Sequence, residues 1–177
     1  MTNYIYIATS LDGFIAGKDG DIGWLNEISN PSNSDYGYAE FIEKIDALVM
    51  GRKTFELVLS FGVWHYEKPV FVLSNSLDKV PEGMEDIAEI VKGDLKTLVN
   101  SLKKRGYENL YVDGGSVIQS FLKEDLIDEM IITRVPILLG EGIPLFGKLE
   151  NHMKFKLVKN VSYYETLVKC HYIRVKD

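Results

Sequence analysis

The chain has 177 residues, 46% of them hydrophobic, enough for one substantial core and short for two domains of ordinary size; a single domain over residues 1–177 is expected. Twenty basic residues against 26 acidic ones leave a net charge of -6, which excludes a general attraction to nucleic acid or anionic membranes and leaves any anion to a local site. A single cysteine, Cys170, excludes an internal disulfide and a zinc centre built from several thiolates, and suits a reducing cytoplasm; no metal is expected.

The opening residues, MTNYIYIATSLDG, lack a cationic stretch followed by a long apolar one, and no apolar run approaches the ~20 residues needed to cross a bilayer. A soluble, unexported protein is expected. In chain order, the runs YIYIA (4–8), ALVM (47–50), VFVL (70–73), LYV (110–112) and MIITRV (130–135) are short, apolar and rich in β-branched or aromatic residues, and predict buried strands. Residues 9–34, rich in Gly, Asp, Asn and Ser, predict a long loop of the kind that is seldom idle in a compact domain. Tyr38, Phe41, Ile42 and Ile45 recur at i, i+3, i+4 and i+7, as do Leu95, Leu98, Val99 and Leu102, which predicts helices with one apolar face each. Strands alternating with helices imply a largely parallel α/β sheet with right-handed crossovers. The tail differs: FKLVKNVS (155–162) and TLVKCHYIRV (166–175), joined by a short polar turn, predict an antiparallel hairpin at the sheet edge.

Three strand exits carry polar or glycine-rich turns, and in parallel α/β sheets ligands bind beyond the carboxyl ends of the strands, where helix N-termini offer free N–H groups. At the first, Gly51 permits close backbone approach, Arg52 offers a planar fork suited to phosphate, and Lys53 and Thr54 follow; a helix start with solvated cations explains the same residues. At the second, Leu73, Ser74, Asn75 and Ser76 could bond a ribose, a base edge or a phosphate, or form an ordinary turn. The third, YVDGGSVIQSFL (111–122), sets a strand, a glycine pair and an amphipathic helix in the order that seats a pyrophosphate, without the full G-x-G-x-x-G spacing. Acid and base candidates are few. His65, His152 and His171 are isolated, no G-x-S-x-G marks a nucleophilic serine, and Cys170 reads as a packed strand residue. Asp35 either faces a pocket or caps the first amphipathic helix.

Taken together, SLDGFIA (10–16), VMGRKTFE (49–56), VLSNS (72–76), YVDGGSVIQSFL (111–122) and VPILLGEGIPLF (135–146) resemble, in order and over most of the chain, the dihydrofolate reductase-like superfamily, and most closely its riboflavin-biosynthesis reductase branch, the RibD C-terminal domain. The resemblance implies a three-layer α/β fold with a mostly parallel eight-stranded sheet and a C-terminal antiparallel hairpin, and NADPH as hydride donor. It places Arg52 at the 2′-phosphate, Gly51, Lys53 and Thr54 at the pyrophosphate, and Leu73, Ser74 and Asn75 beside the adenosine. It places Gly114, Gly115, Ser116 and Val117 at a second phosphate turn, Ala8 and Ile15 at the nicotinamide, and Gly17 at the start of a lid over residues 17–24.

On the substrate side the resemblance implies Asp35 as polar anchor or proton relay, with Asp12, Trp24 and Lys68 toward the substrate. Lys68 stands where folate-reducing relatives keep an arginine fork, which disfavours folate. VPILLGEGIPLF favours the riboflavin-type reaction, in which 5-amino-6-(5-phosphoribosylamino)uracil reductase converts a ribosylamino sugar to a ribityl one. With one cysteine, the P-C-x-x-C of the zinc deaminase that accompanies this reductase in bifunctional relatives is missing. A reductase with another small heterocyclic substrate, or a non-catalytic NADPH-binding module, remains open on the sequence. Riboflavin-type relatives imply a homodimer through the hairpin and VPILLG, segments that could equally complete a monomer's core.

Overall fold

The computed structural model describes residues 1–176. Five strands follow the apolar runs: β1 (Thr2–Thr9), β3 (Ala47–Gly51), β4 (Val70–Leu73), β6 (Asn109–Asp113) and β7 (Glu129–Arg134). Two further segments complete the parallel part and the loop region: β2 (Phe14–Ala16) and β5 (Ala88–Val91). A two-residue strand, β8 (Ile143–Pro144), precedes the hairpin β9 (Lys154–Tyr163) and β10 (Leu167–Val175). Eight strands form one sheet in the order β5-β4-β3-β6-β1-β7-β10-β9, parallel up to β7 and antiparallel beyond it. β2 and β8 form a separate ribbon.

Alternate residues of the central strands serve opposite faces, which is why these strands read as continuous apolar runs. Ile5, Val49, Phe71, Val112 and Ile132 pack on one face under α3 (Leu95–Lys104) and α4 (Gly115–Lys123), through Leu98, Leu102, Ile118 and Phe121. Tyr4, Leu48, Met50, Val72, Tyr111 and Ile131 pack on the other under α1 (Tyr38–Glu43) and α2 (Arg52–Ser60), through Phe41 and Phe55. The three layers are those expected. The first helix is shorter than its apolar spacing: it ends at Glu43, and Ile45 is buried from the connection to β3.

The hairpin turns at Tyr164 and Glu165, both left-handed at φ 52° and 55°. Its strands reach back to α1 through one carbonyl. Tyr36, itself at φ 55°, receives hydrogen bonds on its backbone oxygen from the Tyr6 hydroxyl (2.9 Å), the Tyr163 hydroxyl (3.2 Å) and Lys169 Nζ. Residues from β1, β9 and β10 thereby fix where α1 begins.

Candidate active site

The sheet order brings the three polar exits side by side. Gly51 at the end of β3 pairs with Leu73 at the end of β4, and Met50 pairs with Asp113 at the end of β6. α2 starts immediately at Arg52 and α4 at Gly115, so two helix N-termini stand at adjacent strand ends. The exits interlock at their glycines. A Cβ on Gly51 would lie 3.1 Å from Val117 Cγ2, and one on Gly114, whose φ is +87°, would collide with Thr54 Oγ1. A Cβ on Gly115 would stand 2.9 Å from Ile15 Cδ1, which places the β2/β8 ribbon over the start of α4.

Neither of these helix starts is closed by the protein. Gly51 and Gly114 occupy the N-cap positions, no side chain accepts from the first turn, and neither first turn holds an acidic residue. By contrast α3 is capped by Asp94, whose Oδ2 accepts from Thr97 N at 2.8 Å. Open N–H groups and a partial positive charge at two neighbouring helix ends form a receptor for paired phosphates. Lys53 and Ser116 are exposed on these first turns and Thr54 is partly buried between them. Arg52 is 42% exposed and bridges to Glu56 at 3.0 Å; such an i,i+4 surface pair is worth only ~0.2–0.5 kcal/mol, so it opens readily to another anion. On the β4 side, Ser74 Oγ accepts from Ser76 N (3.2 Å) and Leu77 N (2.9 Å), shaping the turn that carries the exposed Asn75. Glycine backbones, open amides and Arg52 fit the phosphates of a dinucleotide such as NADPH.

Around the nicotinamide position expected from the sequence, Ala8 lies in β1 and Gly17 begins a turn in which its N–H donates to Asp21 O at 2.8 Å. The loop region is more ordered than its composition implies: β2 and a short 3-10 helix, Gly23–Glu27, lie within it.

The substrate-side candidates lie in local contacts of their own. Asp35 is exposed, and its two oxygens accept from Gly37 N and Ala39 N, both at 2.8 Å; the carboxylate caps α1, and these N–H groups hold it below the usual carboxylate range. A base so occupied has little to offer a substrate. Asp12 is likewise spent, accepting from the Ser10 hydroxyl (2.6 Å), Gly140 N (2.8 Å) and Leu139 N (3.2 Å) and stapling the β1 exit to the segment before β8; its carboxyl is lowered, chiefly by Ser10. Trp24 is buried at 6% exposure against Val135 and Leu167, in a small core of its own and not against an open cleft. Lys68 lies two residues before β4, roughly 17 Å of extended chain from the strand's exit at Leu73.

A further acid stands at these exits: Asp113, inside the YVDGGSVIQSFL segment and next to its glycines. It ends β6, its Oδ1 accepts from Gly114 N at 2.8 Å, and the hydroxyls of Tyr66 and Tyr111 face it. Burial raises its pKa, and the Gly114 N–H and the Tyr66 hydroxyl only partly offset the rise. The same enclosure acts on the phenols: Tyr38 is pushed up to about 12 by burial and then by Asp113, and Tyr66 and Tyr111 are raised in the same way. Tyr111 gives its own proton to Tyr6 O at 2.9 Å. The loop between α2 and β4 is what delivers Tyr66, a placement that no local spacing announces.

An eight-stranded sheet of this order, with helix starts at its glycine exits and a C-terminal hairpin, is a dihydrofolate reductase-like fold. Dihydrofolate reductase from Enterococcus faecalis, solved in complex with NADP(H), aligns over 99% of this chain and 97% of its own with a TM-score of 0.67 and 19% identity, a likeness of fold. The chain belongs to the RibD C-terminal domain family, whose pattern matches residues 4–169. A structure from Shewanella sp. PV-4, assigned provisionally to riboflavin biosynthesis by its name, is 51% identical, covers 99% of this chain and 100% of its own, and superposes with a TM-score of 0.96. The uncharacterized protein YwjB of Bacillus subtilis (strain 168) is 38% identical over 173 residues, 96% of each chain.

Proposed function

We propose that the protein is an NADPH-dependent reductase of a small heterocyclic substrate, of the kind its family uses in riboflavin biosynthesis. The observation that carries this reading is the pair of open helix starts at the adjacent exits of β3 and β6, with Arg52 on one of them. NADPH, when bound, supplies a hydride. The chain's own part is to hold the two phosphates on the first turns of α2 and α4, to direct the Arg52 guanidinium at the 2′-phosphate, and to cover the ring with the β2/β8 ribbon. The second hydrogen reaches the substrate as a proton, and Asp113, whose carboxyl pKa is raised by burial, is the group suited to carry it.

Arg52→Ala should weaken NADPH by roughly 1.5–3 kcal/mol, as for a charge-assisted contact, and leave NADH nearly unchanged, measured by calorimetric titration of both cofactors. Equal losses for the two would remove Arg52 from the 2′-phosphate. NADPH bound tightly but oxidised by no member of a pyrimidine, pterin and quinone panel would instead favour a binding module without turnover. A second copy of the chain is the proposed partner: Phe146 and Val168 are exposed beside the apolar groove of Met130, Ile132 and Phe155, and sedimentation should report a dimer.

A further inference from the structure

On the α1 side of the sheet, a hollow of about 90 Å³ lies between α1 and the β9–β10 hairpin. The stacked rings of Tyr6 and Phe41, 4.6 Å between centroids, form one of its walls. Lys44 stands just past the end of α1, Lys159 on β9, and Lys169 and His171 on β10. The hairpin register explains the gathering: Lys159 pairs with His171 and Val161 with Lys169, two residues along, so all four share one face. Lys169 is half-buried, donates to the Tyr36 carbonyl and lies 5.8 Å from the centre of the Tyr6 ring, while Lys44 lies 5.7 Å from that of Phe41. Among the described residues, none of the three lysines is within ion-pair distance of a carboxylate. Glu129 is taken by His171 Nε2 at 2.6 Å, and Asp35 spends its oxygens on backbone N–H groups, with Lys169 the smallest of the influences that lower it. Glu40 is the acid that lines the hollow, from an exposed position on α1.

In a chain of net charge -6, three unpaired cations around one hollow are a surplus that repels itself and that an anion would relieve. Ammonium groups are point charges with three donors each. They suit an anion whose oxygens face several directions, whereas a flat carboxylate is better matched by an arginine fork, and no arginine lines the hollow. The volume equals about three waters at ~30 Å³ each, which admits a tetrahedral oxyanion and leaves no room for a nucleotide. We propose that the hollow between α1 and the hairpin binds a phosphate group, free or at the end of a phosphorylated small molecule, on Lys44, Lys159 and Lys169. The site is separate from the open helix starts: β10 is three strands from β6, roughly 14 Å at ~4.8 Å per strand, and nothing in the inference depends on the reductase reading. Phosphate bound there joins α1 to the hairpin and reinforces the hold that Tyr163 and Lys169 have on the Tyr36 carbonyl.

Amide NMR of the full, isotope-labelled chain, titrated with sodium phosphate at an ionic strength held constant with sodium chloride, tests the proposal site by site. The signals of Gly37, Phe41, Val161 and His171 should move saturably, with half-saturation at millimolar phosphate or below. Lys44→Gln combined with Lys159→Gln, both at exposed positions, should weaken that response by about fivefold or more, with circular dichroism as the check that the variant is folded. Glycerol 3-phosphate as a second probe separates the two sources of the group. It binds more tightly than inorganic phosphate if the group arrives on a small molecule, and no more tightly if the free ion is the ligand. Shifts confined to residues 51–54 and 114–116 would place phosphate at the helix starts alone and overturn the proposal. So would an equal response to chloride, or an unchanged response in the double variant.

Discussion

The starts of α3 and of α4 do the same job in different ways. Both helices pack on one face of the sheet, with buried residues at helical spacing and basic residues in the last turn. Asp94 fills the N-terminal amides of α3, whereas α4 opens on Gly114 with none filled by a side chain, and α2 opens on Gly51 in the same way. A helix that only supports the sheet is completed by its own sequence. One whose first amides are left open gains stability from an anion bound there, as the proposed function requires of α2 and α4.

The largest test of that contrast is Gly114→Ala. A left-handed φ of +87° and a Cβ driven into Thr54 should together cost about 1–3 kcal/mol in chemical denaturation and abolish measurable NADPH binding, since the turn must shift to relieve them. Ser116→Asp should separate stability from function. A carboxylate in the first turn favours the helix dipole, so Tm should hold or rise, while NADPH affinity falls by about tenfold or more. Asp94→Ala should behave in the opposite way, lowering Tm by roughly 2–4 °C and leaving NADPH titrations unchanged.

Acid should reproduce that last effect. The carboxyls of Asp12, Asp35 and Asp94 lie below the ordinary 3.8 in the folded protein, so they stabilise it above that pH and the contribution is lost as pH falls through their folded values. Asp113 has the opposite sign. Its raised pKa means that ionisation opposes folding at neutral pH, and Asp113→Asn should raise Tm at pH 7. A lower Tm for that variant would show the carboxylate to be structural.

The same division governs what could be read from the sequence. Strands buried on both faces announced themselves as apolar runs, and β4 fell on residues 70–73 as its sequence implied. β5 escaped because AEIV is four residues with Glu89 exposed, and β2 and β8 because they are three and two residues long. Glycines at the exits were legible because a backbone that must approach something closely has few alternatives. Asp113 was not, because its character comes in large part from Tyr38 and Tyr66, which are remote in sequence and joined to it only by the fold. The backbone bonds of Asp35 and Asp12 were equally illegible, because the N–H groups that meet them are set by the loops around them.

The Tyr36 carbonyl has a consequence in time. It takes its donors from Tyr6, 30 residues before it, and from Tyr163 and Lys169, 127 and 133 residues after it. β1, synthesised first, lies between β6 and β7 and has no neighbour until more than half the chain exists. At ~5–20 residues per second, the placement of α1 must therefore wait on the order of ten seconds for the β9–β10 hairpin. Until the ribosome lets that hairpin go, the emerging chain holds the pieces of a binding site and none of its shape.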